Sequence, residues 1–456
     1  SLRNFIENSY RARPIRELTY MADHLFFDFD PAGYHIQSIF WHALNSLLLF
    51  VLARHFSLGY WAAWTATLLF LVHPVNVEVA AVIAHRKDSL VLAFALLSLL
   101  FFMKLGQASN KHGLWLILSA LAFVMACFSK QNAYVLPAVF LTYWIAVHRD
   151  WKPNRQHVVL LGVCLAAGAA LLLVWYFYGG GRARFLHECR MDLAGMNYTA
   201  PCDEFIYYRL VLKSWVFIFL RLILPLNLAL EYQYAVPETW YDPWAIASIC
   251  FIAVYVAGGY YAFRKNRTVF FFLVWIGLFW LPTSGLWPGF TNRFVADRYL
   301  YTPSVGFFML LAMALDRLIA PRRAGVAVTV VLSIVLAVLT WHQIGVWQTP
   351  CRLWAHAVEV SPESGTALNN LGKCHLEEGE YQQAESLFMK SLVSNPYNPS
   401  PYYNLGLLFE KTQKPQLAIS YYTKFLAFED QRHSQLRSDL RLKLEEQYDL
   451  VLPSAR

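Results

Sequence analysis

Residues 73–88, HPVNVEVAAVIAHRKD, bring together His73, Glu78, His85, Arg86, Lys87 and Asp88. Apolar segments at 62–72 and 90–103 flank them, each long enough to enter a bilayer. An ionisable side chain at membrane depth costs about 2.5–3.5 kcal/mol even on lenient scales, so such groups usually face a cavity and a ligand. A carboxylate or imidazole beside a nucleophile acts as a general base, and Arg or Lys holds the charge that develops on a phosphate leaving group. Arg suits phosphate through its fork of permanent donors. On this reading Asp88 and Glu78 are the catalytic carboxylates, and Arg298, Arg86, Lys130 and Arg293 the phosphate ligands. The tract ADRYLYTP at 296–303 leads into an apolar run at the depth of a lipid phosphate. Anchoring at the membrane interface by Arg and Tyr is the plainer reading of that tract.

These groups need helices to hold them. Pro74 ends the preceding helix, because it lacks an N–H and disfavours helical geometry at His73. A helix after it would put Glu78 and His85, seven residues apart, on one face. His35, Ser38, His42 and Asn45 form a polar stripe at helical spacing on an apolar segment. The stripe either lines a cavity with His73, His85, Asp297 and Tyr301 or holds helices together.

The chain of 456 residues is 57% hydrophobic, and its apolar residues come in runs, which makes it a polytopic membrane protein. The net charge of +8 points to positive-inside loops, and no nucleic-acid partner is expected. Its 16 Trp and 26 Tyr suit interfacial belts. Seven Cys lack CxxC spacing, so no metal site is assigned to them. Without a glycine-rich phosphate loop or HExxH, soluble nucleotide chemistry and the standard hydrolases find no support.

About ten spans are expected, near 35–54, 59–73, 88–105, 113–129, 131–148, 157–178, 243–263, 267–287, 303–319 and 323–341. Residues 1–34 read as an external loop, and the polar start at Ser1 leads us to expect a first span upstream of it. The segment 206–224 carries Arg209, Lys213 and Arg221 and is read as interfacial. The basic loops then share the cytoplasmic face, and residues 73–88, the loop 179–242 and everything after 342 lie on the other. Cys189 and Cys202 share that outer loop and either bridge or remain free thiols.

From 343 to 456 the composition becomes that of soluble helices. Leu371, Gly372, Ala384 and Phe388 recur 34 residues later as Leu405, Gly406, Ala418 and Tyr422, a tetratricopeptide (TPR) period. Half a repeat precedes them, and 431–450 suits a capping helix. Asn370 and Asn404 occupy one repeat position and either bind an extended acceptor peptide or are consensus filler.

The ordered combination of Arg13-Pro14, His42-Ala43-Leu44-Asn45, His73-Pro74-Val75-Asn76-Val77-Glu78, Arg86-Lys87-Asp88, Ser129-Lys130 and Asp297-Arg298-Tyr299, followed by TPR repeats, resembles the transmembrane-and-TPR O-mannosyltransferases and their bacterial relatives. The resemblance implies a GT-C-type all-α membrane bundle over 35–342, followed by a TPR solenoid. It implies a polyprenyl-phosphate sugar as donor, a protein hydroxyl as acceptor presented by the TPR groove, and action on the extracytoplasmic face. That face belongs to a bacterial inner membrane or, alternatively, to the endoplasmic reticulum with a lumenal TPR. No cofactor beyond the lipid-linked sugar is assigned, and a divalent metal stays open. Two departures stand out: the family's acidic pair would lie upstream of Ser1, and Gln131 stands where relatives often carry Glu. A non-catalytic TPR scaffold, and a polysaccharide ligase or lipid transporter, are the competing readings.

Overall fold

The computed structural model describes residues 13–105, 111–147, 204–232, 241–286, 295–428 and 434–448, with the isolated positions 162, 166 and 239. Every regular element among them is helical. The described residues divide into two compact units, one of 13–230 and 239–347, the other of 231–232 and 348–448.

In the first unit, α1 spans Pro14–Phe27, α2 Pro31–His55 and α3 Tyr60–Val72. The short α4 spans Val77–Ala81, α5 Arg86–Leu105, α6 His112–Ser129 and α7 Leu136–Val147. After the undescribed stretch come α8 (Glu204–Ile223), α9 (Pro243–Lys265), α10 (Arg267–Trp280), α11 (Ser304–Leu318) and α12 (Arg322–Val346).

Helix α5 is the axis of this unit. Beyond its charged first turn it is apolar on all sides, as a helix enclosed by others must be, and most of its residues are buried. Ser98 on α5 and Ser119 on α6 exchange bonds, each hydroxyl donating to the other's carbonyl, at 2.7 and 2.9 Å. Small residues allow such close approach between membrane helices. At Gly306 on α11 a Cβ would meet the Phe272 carbonyl oxygen at 2.7 Å, so only glycine fits there against α10.

Five described helices are long and apolar enough to cross a membrane: α2, residues 83–105, α6, α9 and α12. A sixth is possible if α3 and the segment 74–81, bent by 53°, form one broken span. The ten expected spans are not reached among the described residues. The run 267–287 holds only the shorter apolar helix Arg267–Thr283, 303–319 holds only 15 helical residues, and most of 157–178 lies outside the described residues. The expected external loop at 1–34 contains a helix, since 14–27 is helical. The Arg and Glu residues there mask an apolar spacing that only the fold reveals.

In the second unit, α13 (Pro350–Val360) precedes the helix pairs α14 (Gly365–Glu377) with α15 (Tyr381–Ser394), and α16 (Pro399–Lys411) with α17 (Pro415–Leu426). The closing helix is α18 (Ser434–Tyr448). The two glycines one period apart sit where large residues press in. A Cβ on Gly372 would lie 2.8 Å from the Phe388 ring, and one on Gly406 would lie 2.4 Å from the Tyr422 ring. Each repeat thus fills its own small–large gap, and the shared core of Ala384, Phe388, Leu405, Ala418 and Tyr422 joins one repeat to the next. A disulfide, Cys351–Cys374, ties α13 to α14.

Candidate active site

Pro74 does end α3: His73 is extended, and a short 3-10 turn, Pro74–Asn76, leads into α4. The helix does not continue to His85, since Val82 is again extended and a second 3-10 turn covers Ile83–His85. His85 nonetheless returns to Glu78, with Nδ1 3.5 Å from Oε1. The proximity comes from this folded connection and not from one helical face.

Glu78 is buried and fully engaged. Its Oε2 accepts the backbone amide of Arg298 at 2.9 Å, and its Oε1 accepts the Arg298 guanidinium at 2.5 Å. Desolvation works against the Arg298 charge, but the Glu78 carboxylate overcomes it and raises the guanidinium above its ordinary value. Arg298 and Asp297 lie in the 3-10 turn Asp297–Leu300, where Asp297 is buried.

Arg86 has no exposed surface. Its Nη1 lies 2.5 Å from Asp23 Oδ2, in an ion pair whose angle is not that of a linear hydrogen bond. Its remaining donors reach Gln37 Oε1 at 2.7 Å, Thr19 Oγ1 at 3.1 Å, the Tyr34 carbonyl at 2.8 Å and Ser38 Oγ at 3.4 Å. The Tyr20 ring covers it at 4.8 Å. Arg86 is therefore a buried pin between α1, α2 and α5, with four of its five N–H donors bonded and no surface open to a phosphate, against the expectation from its neighbours in sequence.

The cation cluster forms instead around Asp88. Lys130 bonds Asp88 Oδ1, while Oδ2 is buried without a hydrogen-bond partner. Burial lowers the Lys130 ammonium, against the pull of Asp88. Lys87 and Arg13 both feel Asp88 as their strongest opposite charge. Among the described residues Lys87 makes no hydrogen bond or close ion pair, and Arg13 Nη1 is buried without a partner. Burial lowers Arg13 from its ordinary value, with Asp88 opposing. One carboxylate thus serves three cations, a field that favours an added anion. In the sequence Arg13 stands out through the Arg13-Pro14 pair that opens the family resemblance, with no role assigned to it.

The polar stripe of α2 goes to its neighbours. His42 Nε2 faces the Leu71 carbonyl at 3.1 Å, so it carries the hydrogen. In the neutral ring Nδ1 then accepts from the Tyr301 hydroxyl at 2.8 Å. Asn45 donates to that same hydroxyl at 3.1 Å and to the Ser89 carbonyl at 2.9 Å. Burial raises the Tyr301 phenol well above its usual range. Of the residues expected to line a cavity, His42, Asn45 and Tyr301 hold helices together, and buried His73 accepts from the Val75 amide at 3.3 Å. His35 is half-buried on α2.

In the TPR unit Asn404 is buried and donates to Asn369 Oδ1 at 2.8 Å, linking adjacent repeats. Asn370 donates to the Thr366 carbonyl of its own helix at 2.8 Å. One amide N–H of each is thus engaged within the TPR unit itself. Ligand atoms of His375, Glu378 and Glu380 lie within 4.8 Å of one another, but both glutamates are exposed and Glu380 already bonds His375 at 2.6 Å. Arg293, Cys189 and Cys202 lie outside the described residues.

Residues 23–176 match the family model described as dolichyl-phosphate-mannose-protein mannosyltransferase. Residues 365–398 and 399–431 match tetratricopeptide repeats. A protein O-mannosyl-transferase of Caenorhabditis elegans is 26% identical over 85% of this chain and 54% of its own length. Protein O-mannosyl-transferase TMTC3 of Mus musculus is 23% identical over 91% of this chain and 48% of its own. For the human TMTC4 enzyme the identity is 24%, over 92% and 58%. The chain thus spans about half the length of these relatives. No solved structure matches it.

Proposed function

The chain belongs with the transmembrane-and-TPR protein O-mannosyltransferases, and on that premise we propose that it moves a mannosyl group from a polyprenyl-phosphate donor to a hydroxyl of a protein acceptor. The observation that carries this reading is the cation excess at Asp88: Lys130, Lys87 and Arg13 around one carboxylate. A phosphate entering there would take the donors that Lys87 and Arg13 leave open, and Arg298 would add its field from the Glu78 pair. The acceptor oxygen attacks the anomeric carbon, the bond from that carbon to the phosphate oxygen breaks, and the hydroxyl proton passes to a carboxylate. Asp88 Oδ2, buried and unbonded, is the better-placed base of the two carboxylates, because both oxygens of Glu78 are occupied.

The reaction face follows from charge. The interfacial reading of α8 keeps the basic loops on the cytoplasmic side and puts the 73–88 segment on the other. The Cys351–Cys374 disulfide supports an oxidising compartment for the TPR repeats. The nematode, mouse and human origin of the relatives favours the lumenal alternative over a bacterial inner membrane. There the repeats would present the acceptor.

Lys87→Met tests the reading directly. Losing a charge-assisted contact to a phosphate costs about 2 kcal/mol or more, which is about thirtyfold in transfer at about 1.4 kcal/mol per factor of ten. Thermal stability should hold, since Lys87 has no close partner among the described residues to orphan. Transfer from polyprenyl-phosphate mannose, measured in the full-length polypeptide, should fall while the melting temperature stays. An unchanged rate would remove the phosphate role from this cluster.

A further inference from the structure

Asn45 on α2 stands between the two halves of the candidate site and carries no charge of its own. Both of its amide hydrogens are engaged, one on the Ser89 carbonyl at 2.9 Å and the other on the Tyr301 hydroxyl at 3.1 Å. Ser89 follows Asp88 directly in the first turn of α5, which its hydroxyl braces by donating to the Arg86 carbonyl at 2.8 Å. Tyr301 follows the turn that carries Arg298, and its backbone amide donates to the Arg298 carbonyl at 3.3 Å. Trp275 fixes the next residue, its Nε1 donating to the Thr302 carbonyl at 2.9 Å. One side-chain amide therefore ties the segment of Asp88 to the segment of Arg298, through partners 44 and 256 residues away. Its orientation is set by chemistry: reversed, it would bring Oδ1 against the Ser89 carbonyl, acceptor against acceptor.

We propose that Asn45 is a positioning residue, which sets the separation between the Asp88 carboxylate and the Arg298 turn through the Tyr301 hydroxyl. Asn45 and Tyr301 have no exposed surface, so water does not compete for the bond between them. The hydroxyl is fixed from its other side, where it donates to His42 Nδ1 at 2.8 Å. Its oxygen therefore has one place, and Asn45 is held against it. The amide also carries a penalty: its Oδ1 is buried without a hydrogen-bond partner among the described residues. An orphaned buried acceptor destabilises a fold, so stability alone is a poor reason for an amide here, and spacing is a good one. Transfer needs the base and the phosphate held at once, and a misplacement of about 1 Å costs on the order of a hundredfold in rate. The role in transfer rests on the reading of Asp88 as the base; the tie itself rests on the geometry.

The test is transfer from polyprenyl-phosphate mannose by the full-length polypeptide, read as separate kcat and KM values beside the melting temperature. Tyr301→Phe deletes the hydroxyl and keeps the ring that packs on Phe70. Lys87 and Arg13 are untouched, so KM for the donor should hold while kcat falls by roughly ten- to a hundredfold. Asn45→Ala, which also releases the Ser89 carbonyl, should show the same split. Ser98→Ala is the control for mere loosening, since it cuts a buried tie between the same helix α5 and α6. Its melting temperature should fall with kcat unchanged. A parent kcat in Tyr301→Phe, a loss confined to KM, or an equal kcat loss in Ser98→Ala would each overturn the positioning role. Lys87→Met in the same assay judges the phosphate reading separately: lost transfer there beside a parent kcat in Tyr301→Phe removes the positioning role and leaves the phosphate site standing.

Discussion

Arg298 holds Glu78 by two donors at once, its backbone amide at 2.9 Å and its guanidinium at 2.5 Å. The contact joins residues 220 apart in sequence and fastens the 3-10 turn at 297–300 to the bent helix after Pro74. Both side chains are largely buried, so the pair fixes the shape of the site as well as its charge. Arg298 therefore cannot be treated as a loose interfacial cation that a phosphate merely recruits.

Removing one partner should destabilise the membrane unit strongly. Arg298→Ala leaves a buried, uncompensated carboxylate, which costs about 3–5 kcal/mol. The double variant Glu78→Gln, Arg298→Met should recover most of that loss. The new amide oxygen can still accept the residue 298 N–H, and no unpaired charge is left. Thermal unfolding in detergent micelles checks both. Equal stability of Arg298→Ala and the parent would show that the pair is not a structural tie.

How legible this was depended on what each feature needs. The TPR repeats could be read directly, because a period of 34 with small residues facing large ones is written along the chain, and Gly372 against Phe388 is that rule made physical. The end of α3 at Pro74 was equally local. Pairing was not. Arg86 sits between His85 and Lys87 and looks like part of a charged ligand site, yet its partner is Asp23, 63 residues earlier, across a helix whose polar face points inward. Sequence offers no rule for which of several carboxylates a buried guanidinium meets. The span count suffered for a related reason: an apolar run reads alike whether it crosses, bends or stops, and α10 and α11 are simply short.

The repeat glycines set a second expectation. Gly406→Ala gains roughly 0.5–1 kcal/mol of helix propensity, but its Cβ would press on Tyr422 at 2.4 Å. The Tyr422 hydroxyl is held by Glu410 at 2.7 Å, so the ring cannot easily step aside. Overpacking of this kind costs about 1–3 kcal/mol, and the net effect should be destabilising. Gly372→Ala should cost less, since Phe388 has no polar anchor. Melting of the TPR transition gives the order, and Gly406→Ala combined with Tyr422→Leu should restore it.

Acid should loosen the same corner. Desolvation would raise the Glu410 carboxyl, but hydrogen bonds from Lys443 and Tyr422 outweigh it and hold it below its ordinary 4.5. A carboxylate depressed in the folded state contributes its stability above the ordinary value and loses it as the pH falls through the lowered one. The TPR unit should therefore weaken below about pH 4.5. The pair is partly exposed, and solvent screening limits its worth to about 0.5 kcal/mol. Lys443→Met should flatten that part of the pH profile; an unchanged profile would assign the acid sensitivity elsewhere.

The last expectation concerns the Cys351–Cys374 bridge, which closes a loop of 23 residues between α13 and α14. No spacing rule announces it, because a half-repeat brings the two cysteines together only once its helices have packed. Cross-linking a loop of this size restricts the unfolded chain by roughly 3 kcal/mol. Reductant should lower the melting temperature of the TPR unit, and Cys351→Ser should lower it equally with no further response to reductant. The free-thiol state has a direct readout as well: unreduced peptides should carry the Cys351–Cys374 cross-link by mass spectrometry. Finding both cysteines alkylated in protein taken from its native membrane would remove the bridge. It would also remove the support that the bridge lends to an oxidising compartment for the repeats.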